Sequence, residues 1–427
     1  MLNNLSVIAK GRDERTRALS PLNPGRVPDG WLSAAIGSLA HKVTNGFVGT
    51  SLPHQVNEPG IPYLQGFNVR PSKIDLSKRT YVTPDFHRAN KKSQLKEGDI
   101  LVVQSGHIGT AARVPADFGE ANCHALIIVD VYRDVLDPDY VVEHLNSAIG
   151  QARMRGLHVG SSMLHINTSE LAAYILPFPP LTEQRKIASI LRTWDKAIER
   201  LSALRKAKEA RLNALRASLL FGIMRMGAAH SNWPTRRLGE VTRELTKRNA
   251  KQVFDRSAVM GVSNARGIVP MREQTVAGDI SRYLLLPPHG FAYNPMRINV
   301  GSIAMNKAEQ TFLVSPDYVV FACRPDGLEP DYLDHLRQTR WWLHHINAGG
   351  SGSVRQRTYY DDLAALQLRL PAIEEQRSIV EVLNAAKADV DLTDSEIAAL
   401  TRQKRGLMQK LLTGEWAVQP AQETAHA

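Results

Sequence analysis

The sequence predicts an α+β protein assembled twice: two mixed α/β heads separated by two long antiparallel coiled-coil helices, with an internal pseudo-twofold repeat. Three observations predict it. Thr182 to Gly222 is free of proline and of internal glycine and is rich in strong helix formers. Its apolar or long residues step by alternating fours and threes through Ile187, Leu191, Trp194, Ile198, Leu201, Arg205, Lys208, Leu212, Leu215 and Leu219, the spacing of a coiled-coil seam. The stretch then returns 192 positions later (183 to 375, 222 to 414): Glu183-Gln184-Arg185 matches Glu375-Gln376-Arg377 and Gly222 matches Gly414 without a gap, a long fixed period.

Taken in order, residues 1–26 are polar and charged and end in a Pro/Gly-rich run, which reads as a loose arm. Residues 27–180 form the first head. Its β-branched runs Asp99 to Gln104 and Ala125 to Asp130 are separated by turn signals, and a helical stretch runs from Pro138 to about Gln151. Residues 181–226 are the first long helix and its exit, with Thr182 as candidate cap and Gly222 as stop. Residues 227–371 are the second head, with β runs at Asn299 to Met305 and Tyr318 to Cys323. Residues 372–415 are the second long helix, and 416–427 a polar tail. The heads carry fainter marks of the duplication: Pro138-Asp139-Tyr140 matches Pro330-Asp331-Tyr332, Gly160-Ser161 matches Gly352-Ser353, Leu171 matches Leu363, and a tryptophan, Trp31 or Trp233, opens each.

The two helices differ in charge. Thr182 to Gly222 holds ten Lys or Arg against four Asp or Glu; Glu374 to Gly414 holds six against seven. Arg205, Lys206 and Lys208 lie in the middle of the first, and Asp389, Asp391, Asp394 and Glu396 in the middle of the second. Opposite charges beside a seam choose partner and direction, so the helices are expected to pair antiparallel within one chain. A helix of about 40 residues is about 60 Å long.

The 427 residues suffice for two or three domains, and 43% hydrophobic content supports packed cores. A net charge of +11 favours a polyanionic partner. Two distant cysteines, Cys123 and Cys323, suit a reducing cytoplasm. Neither a secretory signal nor a membrane-length apolar run is visible.

Catalytic signatures are missing. There is no Asn/Asp-Pro-Pro-Tyr sequence, no GxxxxGK[ST] phosphate loop, no HExxH and no CxxC. His344-His345 sit adjacent, so on a helix they point apart, and Cys123-His124 reads as a small buried thiol at a strand start. What remains is polar, basic, glycine-rich loop chemistry. Gln104, Ser105 and His107 follow a strand and lead to Arg113. Arg153, Arg155 and Ser162 flank a Gly-Ser loop. In the second half Asn294 and Arg297, then Asn306 and Lys307, bracket a strand, and Ser353, Arg355 and Arg357 sit in a second Gly-Ser loop. Such side chains bond base edges, and glycines let backbone approach phosphates. Matching basic loops in both repeats point to nucleic acid.

On Pro179-Pro180-Leu181-Thr182-Glu183-Gln184-Arg185-Lys186-Ile187, its second copy Pro371-Ala372-Ile373-Glu374-Glu375-Gln376-Arg377, and the ending Leu411-Leu412-Thr413-Gly414-Glu415, the chain resembles the specificity subunit of a Type I restriction-modification system over nearly its whole length. Phe221 in place of the Thr seen at Thr413, and Ala372 in place of a second proline, are departures that could mark specialised helix ends. The resemblance implies two target-recognition domains, each reading one half of a split, asymmetric double-stranded DNA target, without catalysis or a bound cofactor of its own. It implies a bacterial or archaeal cytoplasmic setting. It also implies that the helices set the gap between the halves and dock two methyltransferase subunits, which bring S-adenosylmethionine, with restriction (motor-nuclease) subunits joining for cleavage. Glu183, Gln184, Arg185, Arg205, Lys208, Glu375, Gln376, Arg377, Asp391 and Asp394 are the candidates for docking or helix pairing. A nuclease acting alone and a purely protein-binding coiled-coil scaffold are the alternative readings.

Overall fold

A computed structural model describes residues 27–156, 165–226, 232–264, 266–348 and 357–418. The chain divides into two compact units, Met1–Arg200 with Glu396–Ala427, and Leu201–Ser395. Both divisions fall inside the long helices, so each unit owns one head, one end of the first helix and the opposite end of the second.

In the first unit, Ala40–Asn45, Leu126–Val131, Ile100–Val103 and Ala111–Arg113 form an antiparallel four-stranded sheet in that order. In its two inner strands Ile100–Val103 and residues 126–129 read as apolar runs because both faces are covered there. Ile100, Val102, Ile127 and Val129 pack with Tyr140, Leu145 and Leu176. Leu101, Val103, Leu126 and Ile128 turn the other way, onto Leu64 and Val69. Full burial of each large apolar side chain contributes about 1.5–3 kcal/mol. A smaller sheet pairs Asn122–Cys123, Ile61–Leu64, Tyr81–Val82 and Gln55–Val56. A two-stranded ladder, Leu32–Ala35 on Ile175–Phe178, leads into the first long helix.

The second unit repeats the plan. Thr242–Glu244, Val319–Cys323, Phe291–Tyr293 and Ile303–Met305 form the main sheet in the corresponding order. Phe291, Tyr293 and Phe321 face one core and Ala292 and Val320 another. The ladder before the second long helix is Thr235–Arg237 on Gln367–Arg369.

The long helices are Leu181–Leu219 and Ile373–Leu412. The first begins one residue before Thr182, so that threonine lies inside it and is not the cap. Gly222 and Gly414 take left-handed φ of 69° and 70° and turn the chain, so that Met224 N–H reaches back to Ser218 O and Trp416 N–H to Lys410 O. The expected helix from Pro138 to Gln151 is two helices, Pro138–Asn146 and Ala148–Gly156. The break is at Ser147, whose Oγ donates to His144 O and accepts from Gly150 N. The β run expected from Asn299 is confined to Ile303–Met305, because Ile298–Val300 winds into a 3-10 turn.

Within each unit the helix segments run in opposite senses. In the first, Lys404 Nζ bonds both Asp195 oxygens at 2.7 Å. In the second, Arg205 Nε bonds Asp394 at 3.0 Å, and Lys208 Nζ bonds Asp389 at 2.7 Å and Thr393 Oγ1 at 2.9 Å. Each head is fastened to the helix ends of its own unit. Lys404 also bonds buried Glu143 at 3.2 Å. In the second unit Arg216 donates to His335 at 3.3 Å, and His335 is bonded to Asn384 at 2.9 Å. Among the described residues no helix is long and apolar enough to cross a membrane.

Candidate nucleic-acid interface

The main sheet of each head ends in a hairpin whose turn projects polar groups. In the first unit the turn spans residues 104–110, between Ile100–Val103 and Ala111–Arg113. Gly109 has φ 75°, and a Cβ there would meet the Met154 side chain at 2.8 Å, so only glycine fits. Ser105 and His107 are exposed. The turn is tied to the far end of the Gly-Ser loop: Ile166 N–H donates to Gln104 O at 2.9 Å, and Ser105 Oγ is bonded to His165 Nδ1 at 2.7 Å. Gln104 is buried, and its Oε1 has no partner among the described residues.

The second unit makes the same join. The turn 294–302 lies between Phe291–Tyr293 and Ile303–Met305, and Thr358 N–H donates to Pro295 O at 3.1 Å. In each head the hairpin turn singled out from sequence is thus joined to the residues that follow the Gly-Ser stretch, His165 and Ile166 in the first and Thr358 in the second; the Gly-Ser residues themselves lie outside the described residues. Here Arg297 and Arg357 are exposed, with Tyr359 and Met296 beside them in sequence and also exposed. Arg357 Nη1 reaches Tyr359 Oη at 3.5 Å. A third element joins them. Asn264, at the tip of the hairpin Val259–Ser263/Gly267–Pro270, donates its side-chain amide to Val300 O, and exposed Arg266 follows. Sequence reasoning missed Asn264 and Arg266. The Asn-Ala-Arg-Gly turn between two β-branched runs was the available signal.

Most other candidates are paired with groups of their own head. Arg113 Nε bonds Asp139 at 2.7 Å, and Asp139 also takes Arg192 from the long helix. Arg153 lies near His144, whose imidazole is held down to about 3 by burial and by that guanidinium. Asn306 is buried and orders a turn by bonding Leu286 O, Gln310 O and Ala308 N. Lys307 bonds Asp334 at 2.8 Å. Burial alone would raise the Asp334 carboxyl, but Arg337 and Lys307 outweigh it and hold it below the ordinary carboxylate range. Asn294 spends its carbonyl on Met296 N, and Arg155 is exposed at the end of its helix. Ser162, Ser353 and Arg355 lie outside the described residues.

The residues proposed for docking or pairing also separate. Gln184 and Gln376 are buried and bonded inside their own heads. Glu375 takes Arg225 Nε at 2.8 Å, Arg225 Nη2 at 3.0 Å, Trp233 Nε1 at 3.2 Å and Met226 N at 3.3 Å. Glu183 takes Val418 N at 3.4 Å. Asp391 is exposed and pairs with Lys387 one turn before it. Arg185 and Arg377 are exposed, Arg377 with a 3.5 Å contact to Glu329. Cys123 is buried and pushed up to about 12 by that burial, which suits packing and not nucleophilic chemistry. Among the described residues no cluster of His, Cys, Asp or Glu could hold a metal ion.

The family model of the Type I restriction modification DNA specificity domain matches residues 28–209. The chain is 22% identical to the putative type I restriction enzyme MjaX specificity subunit of Methanocaldococcus jannaschii, over 92% of this chain and 95% of that protein. The MjaVIII specificity subunit of the same organism is 20% identical over 91% and 94%. Among solved structures, the Type-I restriction-modification system S subunit from M. genitalium superposes with a TM-score of 0.56 at 15% identity, covering 92% of this chain and 99% of that one. A chain from work on complex assembly and conformational transition of the type I R-M system gives 0.52 at 17%, covering 92% and 100%. At these identities the structural likeness speaks for the fold.

Proposed function

We infer that a chain carrying a Type I restriction modification DNA specificity domain over residues 28–209 serves as the DNA-reading specificity subunit of a Type I restriction-modification complex. Each head reads one half of a split target through its hairpin turn, Gly-Ser loop end and neighbouring residues. The observation that carries this reading is the repeated join of turn to loop, Ile166 to Gln104 and Thr358 to Pro295, which presents unlike side chains on like frames. The first head offers Ser105 and His107, and the second offers Arg266, Arg297 and Arg357. Unlike readers on like frames favour an asymmetric target.

The chain itself supplies recognition and no chemistry. The two long helices form an antiparallel coiled coil whose length sets the spacer between the half-sites. Two methyltransferase subunits dock on it, and Arg185 and Arg377 are the exposed members of the repeated Glu-Gln-Arg motif available to them. Those subunits bring S-adenosylmethionine and methylate adenines in a bacterial or archaeal cytoplasm; restriction subunits add cleavage. In vitro selection from a random duplex pool tests the reading. Enrichment of two fixed, unlike blocks separated by a fixed gap supports it; recovery of unselected sequence defeats it.

A further inference from the structure

The departure at Phe221 belongs to a groove that the two units do not share. In each unit a cavity forms where a long helix ends against the head's two-stranded ladder. In the first it is about 180 Å³ and lined by Ile149, Arg153, Pro177, Leu412 and Thr413, among others. In the second it is about 450 Å³, and the residues 192 positions away in the alignment differ in kind: Trp341, His345, Arg369 and Phe221 replace Ile149, Arg153, Pro177 and Thr413. Phe221 and Trp341 rings lie 5.8 Å apart and Trp341 and His345 4.1 Å apart, so the wall is a row of aromatics. Buried Leu336 and Leu368 also line it.

Two further asymmetries surround it. Strand alternation puts Thr235, Arg237, Gln367 and Arg369 on one face of the ladder, opposite buried Leu368, and all four are exposed. Arg237 and Arg369 have no carboxylate partner among the described residues; the first unit has Ala35 and Pro177 at these positions. Beside Phe221 the chain leaves Ile223 80% exposed, where the first unit has Glu415, paired to Lys410. An apolar centre inside a cationic, hydrogen-bonding rim is the anatomy of a protein interface. Nucleic-acid phosphates would use the arginines but have no need of a concave aromatic wall.

We propose that this groove, on the second unit alone, is the docking site for an acidic segment of a protein partner that carries an aromatic or leucine anchor. The anchor packs onto the wall that Phe221 and Trp341 form together, and its carboxylates meet Arg237 and Arg369. Among the described residues the first unit's smaller cavity lacks counterparts of Phe221, Trp341 and Arg369 at the corresponding positions, which makes the chain's two repeats unequal to that partner.

The test is fluorescence anisotropy on the full chain with a labelled, end-blocked peptide Glu-Asp-Phe-Glu-Asp-Leu, against the same peptide with lysine at each acidic position, and against a duplex. The expected result is saturable binding of the acidic peptide only, weakened about tenfold or more by R237E/R369E. Those positions are exposed, so an unchanged melting temperature confirms the fold, and duplex binding should be unaltered. No binding of the acidic peptide up to about 1 mM overturns the proposal. Equal loss of duplex affinity in the variant gives the surface to DNA, and self-association abolished by the variant gives it to a second copy; either also overturns it. The duplex arm separates this failure from failure of the DNA-reading function.

Discussion

The side-chain Oε1 of Gln184 accepts the backbone N–H of Asp137 at 2.9 Å, while its amide donates to Val135 O at 2.9 Å and Pro179 O at 2.8 Å. Gln376 repeats the set 192 positions on, with Glu329 N–H at 2.9 Å, Gly327 O at 3.2 Å and Pro371 O at 3.0 Å. One glutamine per unit thus ties the first turn of a long helix to the loop before the head's Pro-Asp-Tyr helix. Both amide hydrogens are used, so neither glutamine has a donor left for another molecule. Q184L or Q376L strands three backbone groups, one buried and two part-buried, and should cost about 3 kcal/mol. R185A, at an exposed neighbour, should leave stability unchanged. Urea unfolding of the three variants checks this.

Glu375 should give the second unit a pH-dependent latch. Its bond to Arg225, above all, holds its carboxyl below the ordinary 4.5, helped by Met226 N–H and Trp233 Nε1 against a smaller opposing effect of burial. The folded value is the lower one, so the stabilisation is present above about pH 4.5 and is lost as pH falls through the folded value. E375Q should therefore be less stable than the parent at neutral pH, by about 1–3 kcal/mol, and the gap should close in acid. Thermal melts from pH 7 to pH 3 would show a constant gap if the carboxylate were not the cause.

The helix–helix ion pairs are exposed and should be worth little singly. Lys208–Asp389 and Arg205–Asp394 are each expected to contribute about 0.2–1 kcal/mol, less in high salt. Their value is in direction and register. K208D or D389K should destabilise, and the double exchange should recover most of the loss. A double-mutant cycle with no coupling would remove the pair from the account.

Arg297 and Lys307 flank one strand but should behave differently. Arg297 is exposed in the turn, and R297A should weaken DNA binding, with about 1–3 kcal/mol of base discrimination lost if it reads a base, or a salt slope smaller by about 1 if it meets phosphate. Lys307 is committed to Asp334, so K307A should lower the melting temperature and leave the sequence preference intact. Binding assays across a salt series, with melts alongside, separate the two.

Much of this was legible in the chain. The repeat at fixed spacing located both long helices to within a few residues, because seam, proline stop and glycine end all agree. The opposite charges expected to select the antiparallel sense meet at Arg205–Asp394 and Lys208–Asp389; Asp391, off the seam, pairs with Lys387 on its own helix. The candidate site was less legible. Side chains such as Asn306, Arg113 and Lys307 look alike in a sequence whether they face solvent or order a turn, and only the fold shows Asn306 buried and Lys307 set on Asp334. The two buried glutamines sat inside the most recognisable motif, where repetition signals a shared role without saying whether that role faces inward or outward.

The central claim, that two unlike heads each read one half of a split target, is tested most directly by mapping modified adenines in a host expressing the chain with the methyltransferase subunits proposed for it, beside the R297A variant. The expected map is a two-part motif with a fixed gap, in which R297A relaxes one half and leaves the other unchanged. A single uninterrupted motif, or loss of specificity in both halves together, would contradict it.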